Sequence, residues 1–244
     1  MEIKKFTRMK NGMYKLHLDD DSSVVVHEEV ILKKDLLLTK NIDEEDVKNI
    51  DKLNNNYNAY DIALKYIGVK LRSCFEVHEY LEKKEIDKVI IHEVIEKLKN
   101  QNYLNDIVFA KAYVNDRIKF SNYGPYKIKK ELDDRKISNS IIEEVLEIFD
   151  YNLEREKLEK LVPKYVKTVR NKSFVMMKSK VSNYFSDLGY NKSIVLDILD
   201  DVDYDDSSAR EKEYKKYYNK LSRKYSGEEL EYKIKQSLYK NGFK

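Results

Sequence analysis

The stretch LEKKEIDKVIIHEVIEKL, residues 81–98, decides how this chain folds. Its apolar residues Ile90, Ile91, Val94, Ile95 and Leu98 stand at i, i+1, i+4, i+5 and i+8, which is one face of an α-helix. The pattern returns twice. LDDRKISNSIIEEVLEIF (132–149) places Ile141, Ile142, Val145, Leu146 and Phe149 in the same register, and FSDLGYNKSIVLDILDDV (185–202) places Ile194, Val195, Ile198, Leu199 and Val202 there. Leu81, Leu132 and Phe185 head the three stretches, and Leu238 heads a fourth. Five residues after each come Ile86, Ile137, Tyr190 and Phe243. A period of about fifty residues belongs to helical repeat architectures. The chain therefore reads as mainly α: tandem three-helix repeats in an elongated curved array.

Outward from the first stretch, residues 61–69, 74–83 and 87–99 form the three helices of one repeat. Ser73 with Glu76 makes a capping box at the start of the middle helix. Gly124-Pro125 holds that register in the second repeat, where proline at the first helical position loses no hydrogen bond. Ser173 holds it in the third. Ser226 with Glu229 restores the capping box in the fourth. Lys244 stands where a third helix of that last repeat would begin, so its core is expected to be partly open and its amides over 226–244 to exchange fast.

The first residues have a different period. Asn11-Gly12 is a hairpin signal between residues 3–9 and 13–18. A turn at Asp19-Asp20-Asp21 leads into Ser23–His27, giving three short antiparallel strands. Residues 28–34 look helical, Asp43 with Asp46 marks an N-cap for a short helix through Leu53, and Asn54-Asn55-Asn56 reads as a linker. The organisation expected is a strand-rich head over 1–56 and repeats over 57–104, 105–150, 151–202 and 203–244, the last lacking its third helix.

Composition agrees. Of 244 residues, 37% are charged and 11% aromatic, with six glycines and two prolines. That is too much charge for one thick core and too many aromatics for a disordered chain. The single cysteine, Cys74, fits a reducing compartment. No apolar run approaches the roughly twenty residues of a spanning helix. A soluble, cytoplasmic monomer is expected.

Catalytic signatures are missing. There is no Gly-rich phosphate loop and no dinucleotide fingerprint. His78-Glu79 and His92-Glu93 open like a metalloprotease motif but lack the second histidine at i+4; His17 and His27 stand alone. Cys74 begins a helix, where a thiol pKa can fall, yet no partner pattern accompanies it. Asp133-Asp134 and Asp200-Asp201 are adjacent and diverge by about 100° on a helix. Tyr217-Tyr218 offers faces for base stacking, although tyrosine is so frequent here that packing is the favoured role. The expectation is no enzyme, no metal and no cofactor.

The net charge is only +3, but it is segregated. From 160 to 184 the chain carries Lys160, Lys164, Lys167, Arg170, Lys172, Lys178 and Lys180 and no acid, followed by Asp187 and an acidic run over 197–206. Lys160, Lys164 and Lys167 share a helical face that Arg170 nearly extends. Such a stripe is either a solvated face or the footprint of a phosphate or acidic partner.

The junction of the first two repeats reads Asn102-Tyr103-Leu104-Asn105-Asp106, then Phe109-Ala110, Tyr113 and Arg117, then Gly124-Pro125, Ile128, Glu131 and Leu132. This resembles the signature of the RecX family, as does Ala63-Leu64-Lys65-Tyr66 with Leu71-Arg72-Ser73 and Glu76. Asn102 stands where the family has glycine, and Asn105 where it has an acid. The resemblance implies a regulator that binds the RecA–single-stranded-DNA filament, lies in its groove, and restrains ATPase, strand exchange and coprotease activity. It makes Ser73, Tyr103, Asp106, Phe109, Gly124 and Pro125 signature residues. With the charge pattern, it makes Arg72, Arg117, Lys127, Lys164, Lys167 and Arg170 the candidate contacts to the filament. Arg72 and Arg117 can alternatively anchor carboxylates. The rival reading is a helical-repeat protein that binds single-stranded nucleic acid directly.

Overall fold

The computed structural model describes residues 1–10 and 12–243. The chain forms two compact units: residues 1–110 with 135–137, and residues 111–134 with 138–244.

The first unit opens with an antiparallel sheet of β1 (Ile3–Arg8), β2 (Met13–Leu18) and β3 (Ser23–His27), in that order. Phe6 pairs with Leu16, and Leu16 with Val24. Met9 N–H donates to Met13 O at 2.8 Å and closes the first hairpin. Gly12 has φ +70°; Asn11, the other half of the expected turn, lies outside the described residues. Asp21 (φ +60°) turns the second hairpin, with Ser22 N–H donating to Asp20 Oδ1. Two short helices follow, α1 (Glu28–Lys33) and α2 (Leu36–Thr39). Leu16, Leu18 and Val26 of the sheet are buried with Val30, Ile31, Leu36, Ile42 and Ile50.

A sheet this small is marginal alone. It is docked by α3 (Glu44–Ile67). Asp43 caps this helix through the Asp46 N–H, as expected. The helix does not stop at Leu53, however, and Asn54–Asn56 is no linker: α3 runs unbroken for 24 residues. The reason is tertiary. Asn54 Nδ2 donates to Val25 O at 2.7 Å, and His27 N–H donates to Asn54 Oδ1 at 2.8 Å. The amide thereby satisfies the edge of β3, and the helix overrides the weak propensity of three asparagines. Buried His27 adds a second tie. Its Nδ1 accepts the Glu29 N–H, so the ring proton sits on Nε2 and is donated to Asp61 Oδ2 at 3.2 Å. Its ring stacks on Tyr57.

Beyond α3 come α4 (Cys74–Glu82), α5 (Lys88–Asn100), α6 (Asp106–Phe120), α7 (Pro125–Asp133), α8 (Asn139–Leu146), α9 (Tyr151–Val166), α10 (Phe174–Asp187), α11 (Lys192–Asp200), α12 (Ser207–Leu221) and α13 (Gly227–Lys240). The repeat register is the core register. Leu81, Leu132, Phe185 and Leu238 are buried, as are Ile91, Ile142 and Val195. The capping box of Ser73 and Glu76 is formed in both directions. Gly124 and Ser173 are N-caps, with Pro125 at the first turn. The expected capping box at Ser226 and Glu229 is absent: the Ser226 side chain makes no cap hydrogen bond, and the next residue, Gly227, is left-handed at φ +59°. The last two helices still bury Ala209, Leu230, Ile234, Leu238 and Phe243 as a cluster of their own.

A second periodic feature appears only in three dimensions. The middle helices end in a left-handed residue at Glu85, Lys136, Gly189 and Gly242. At Gly189 the backbone also approaches the start of α7. Gly124 N–H donates to Leu188 O at 2.8 Å and Tyr126 N–H to Gly189 O at 3.0 Å.

Candidate functional site

The signature residues build the scaffold. Asp106 Oδ1 accepts the Cys74 N–H at 2.9 Å, satisfying an orphan donor at the start of α4. One hundred residues on, Asp206 Oδ2 accepts the Phe174 N–H at 2.8 Å at the start of α10. The intervening helix α7 starts with Pro125, which has no N–H to satisfy. The residue at the corresponding place downstream is Lys157, which donates instead to Ile118 O and Ser121 O at 2.7 and 3.2 Å. An acid is thus present where the backbone has a donor and absent where proline removes it. Asp206→Ala is expected to cost about 1–2 kcal/mol, and Asp206→Asn, which keeps an acceptor, well under 1 kcal/mol. Thermal melts of the two variants check this.

Asn105 serves as an N-cap despite replacing an acid: its Oδ1 accepts from Ile107 and Val108 N–H. Asn102 has φ +61°, a conformation asparagine tolerates better than most side chains do. Phe109 is buried, while Tyr103 is exposed. The Cys74 thiol is not activated by its helix start. Burial, and then the charge of Asp106, push it up to about 12.

Of the candidate contacts, Arg117 and Lys127 are brought together around the Tyr123 ring, at 5.6 and 5.4 Å from its centroid. Arg117 is held in place: Nε donates to Glu131 Oε2 at 2.9 Å and Nη2 to Tyr113 Oη at 2.6 Å. It anchors a carboxylate, the alternative role left open for it. Arg72 belongs to the other compact unit. Its guanidinium lies 3.9 Å over Tyr66, which stacks face to face on Tyr80 at 3.9 Å. Arg72 Nε is buried and has no hydrogen-bond partner.

The basic stripe is edited by ion pairs, one within α9 and one between α10 and α11. Lys160 pairs with Glu156 at 2.5 Å, and Lys178 pairs with Asp200. The absence of acids between 160 and 184 therefore does not leave every cation free. Lys164, Lys167 and Arg170, at and beyond the C-terminal end of α9, are exposed and have no carboxylate partner among the described residues. The helix macrodipole favours cations there, but it leaves their outward charge available.

Glu154 is a structural support that no local sequence pattern reveals. It is buried on α9, and its Oε1 accepts the Asn191 N–H at 2.7 Å at the start of α11. Burial raises its pKa, partly opposed by that hydrogen bond. A carboxyl with a raised folded pKa binds more protons folded than unfolded, so its contribution to stability falls as pH rises through that pKa. Glu154→Gln keeps the acceptor and removes the charge. It is expected to raise the melting temperature at pH 7–8 and to leave it nearly unchanged near pH 4. A variant less stable than the parent at pH 8 would contradict this.

Among the described residues, no His, Cys, Asp and Glu side chains cluster as a metal site, and no helix is long and apolar enough to cross a membrane.

Comparison with known proteins places these features in a family. Residues 59–98 match the first three-helix domain of RecX and residues 105–146 the second. The chain is 31% identical over 252 residues to regulatory protein RecX of Bacillus cytotoxicus, an alignment covering all of this chain and 92% of that one. It is 31% identical over 249 residues to regulatory protein RecX of Streptococcus pneumoniae, covering all of this chain and 95% of that protein. A crystal structure of a regulatory protein RecX shares the fold with a TM-score of 0.74 at 24% identity, over 82% of this chain and all of that one. The crystal structure of RecX from Lactobacillus salivarius gives 0.56 at 27% identity, over 60% of this chain and 95% of that one. With its repeat register, its helix-start acids and its full-length relatives in agreement, the chain belongs to the RecX family.

Proposed function

We propose that this chain regulates the RecA recombinase by binding the RecA–single-stranded-DNA filament and restraining its ATPase, strand exchange and coprotease activities. It acts without chemistry of its own, as a cytoplasmic monomer. The observation that carries the reading is the set of exposed, unpaired cations Lys164, Lys167 and Arg170 in a chain whose relatives are named regulatory proteins. Lys127, Arg117 and Arg72 are further contact candidates, Arg117 chiefly as the residue that orients Glu131 and the Tyr123 edge. Regulation then follows from differential affinity: a protein that binds one filament state better shifts the recombinase toward it. The test is the ATPase rate of the cognate recombinase on single-stranded DNA, titrated with this chain at fixed salt. Substoichiometric suppression is expected, and no suppression with no filament binding would refute the reading.

Direct binding to single-stranded nucleic acid is a second reading. The column of Arg72, Tyr66 and Tyr80 favours it, since bases stack on aromatic and guanidinium planes. It requires binding without recombinase, with a steep salt dependence.

A further inference from the structure

The last two helices carry an open groove of about 540 Å³. Tyr232, Lys235, Gln236 and Tyr239 of α13 line it at i, i+3, i+4 and i+7, so they form one stripe of the helix. Buried Leu238 and Phe243 back the groove, and Arg210 joins it from α12. Tyr232 is 63% exposed and Tyr239 75%, and neither ring is stacked on another ring or covered by a cation among the described residues. Arg210 and Lys235 are exposed and have no ion-pair partner among the described residues. No acid among the described residues lines the groove. The acids nearby are engaged or set apart. Glu231 accepts the Tyr214 hydroxyl at 2.7 Å, and Glu211 and Glu213 pair with Lys215 and Lys216. Glu228 and Glu229 stand one turn before Tyr232, at the start of α13.

We propose that this groove binds a single strand of nucleic acid, with bases on the Tyr232 and Tyr239 rings and phosphates on Lys235 and Arg210. The proposal deepens the direct-binding reading above and rests on it. Bases stack on exposed aromatic faces whatever their identity, and cations beside the rings follow the backbone. Seven residues of helix set the two tyrosines about 10 Å apart along the axis, so one strand reaches both. Gln236, between them, offers a donor and an acceptor to a base edge. The residue types argue against a packed helix as the occupant. With Leu238 aligned on Phe185, the same stripe of α10 is Ser179, Ser182, Asn183 and Ser186. Those side chains are small, Ser182 is buried, and α11 packs on α10. On α13 the side chain is larger at all four places, which holds a helix backbone away. A wholly apolar ligand would strip water from Arg210 and Lys235 and give nothing in return. An acidic peptide would engage the two cations and leave both rings unused.

The test is fluorescence anisotropy of a labelled oligothymidylate of about twenty residues, titrated with the full chain, without recombinase, over a series of salt concentrations. Replacing both rings, Tyr232→Leu with Tyr239→Leu, is expected to weaken binding at least about tenfold. Replacing both cations, Arg210→Gln with Lys235→Gln, is expected to reduce the logarithmic salt slope by about 1.4. Both variants change exposed side chains, so their melts should match the parent. Equal binding of the strand by the parent and the tyrosine variant overturns the site and leaves the direct-binding reading standing, with its contacts elsewhere. No binding of the strand by the parent at low salt overturns the site together with that reading, and filament regulation then stands alone. Oligoglutamate that binds the parent more tightly than the strand does, and loses that binding in the Arg210, Lys235 variant, makes the groove a protein site and also overturns the proposal.

Discussion

Replacing Gly189 with alanine lowers the melting temperature of this chain by roughly 6–12 °C, the largest effect expected of any single methyl group added to it. Two costs combine. Gly189 has φ +87°, where a side chain is strained by about 1 kcal/mol or more. A Cβ there would also stand 2.2 Å from the backbone nitrogen of Lys127 and 2.5 Å from its Cβ, so α7 must move away. Overpacking of that kind costs about 1–3 kcal/mol, giving a sum near 3 kcal/mol. The hydrogen bonds from Gly124 and Tyr126 to Leu188 and Gly189 loosen with it. Gly227 provides the internal control. It has φ +59° but open space around the added Cβ, so Gly227→Ala carries only the strain, about 1 kcal/mol. Gly124→Ala carries only the collision, its Cβ falling 2.4 Å from Gly189 O without a positive φ. Equal melting temperatures for Gly189→Ala and Gly227→Ala would show that the approach to α7 is unimportant.

The second large effect falls on binding. Reversing Lys164, Lys167 and Arg170 to glutamate is expected to weaken filament binding roughly 100-fold or more. Each charged contact contributes about 1 kcal/mol or more, and three of them exceed two decades in affinity. If the three meet phosphates of a single strand, the logarithmic salt slope of binding should also shrink by about 2. The residues are exposed, so their stability role is limited to the α9 macrodipole. A glutamine triple variant separates the two effects: it removes the cations without placing acids at the helix end. Binding retained in both variants at low salt would move the interface elsewhere, to Lys127 or to Arg72. Since Lys160 and Lys178 are already paired with Glu156 and Asp200, reversing those two should break ion pairs and do less to binding.

Much of this follows from local chemistry. The residues at i, i+1, i+4, i+5 and i+8 after Leu81, Leu132 and Phe185 can bury one stripe only as helices, and burial of Ile91, Ile142 and Val195 obeys that pattern. Ser73 with Glu76 and Asp43 with Asp46 cap helices because the geometry needs only three consecutive peptide units. The charge run over 160–184 is equally local, and so is its segregation from the acids that follow.

What the tertiary structure decided has in common that the partner is far along the chain. Asn54 reads as a linker residue until β3, 29 residues earlier, presents its edge. Separations of 22, 32 and 37 residues hide Asp200 from Lys178, Asp206 from Phe174 and Glu154 from Asn191. Gly189 looks like an ordinary helix stop; only its approach to α7 makes the missing side chain indispensable there. Ser226 carries the residue types of a capping box with Glu229, yet its side chain makes no cap hydrogen bond and the residue after it, Gly227, is left-handed. By itself, then, the sequence determined the helical repeat, the place of each middle helix and the sign of the charge along it, because periodicity and capping act within a turn or two. Whether Lys178 stays unpaired, whether α3 continues past Leu53 and which glycine is irreplaceable were decided by contacts more than twenty residues apart, whose geometry no local pattern encodes.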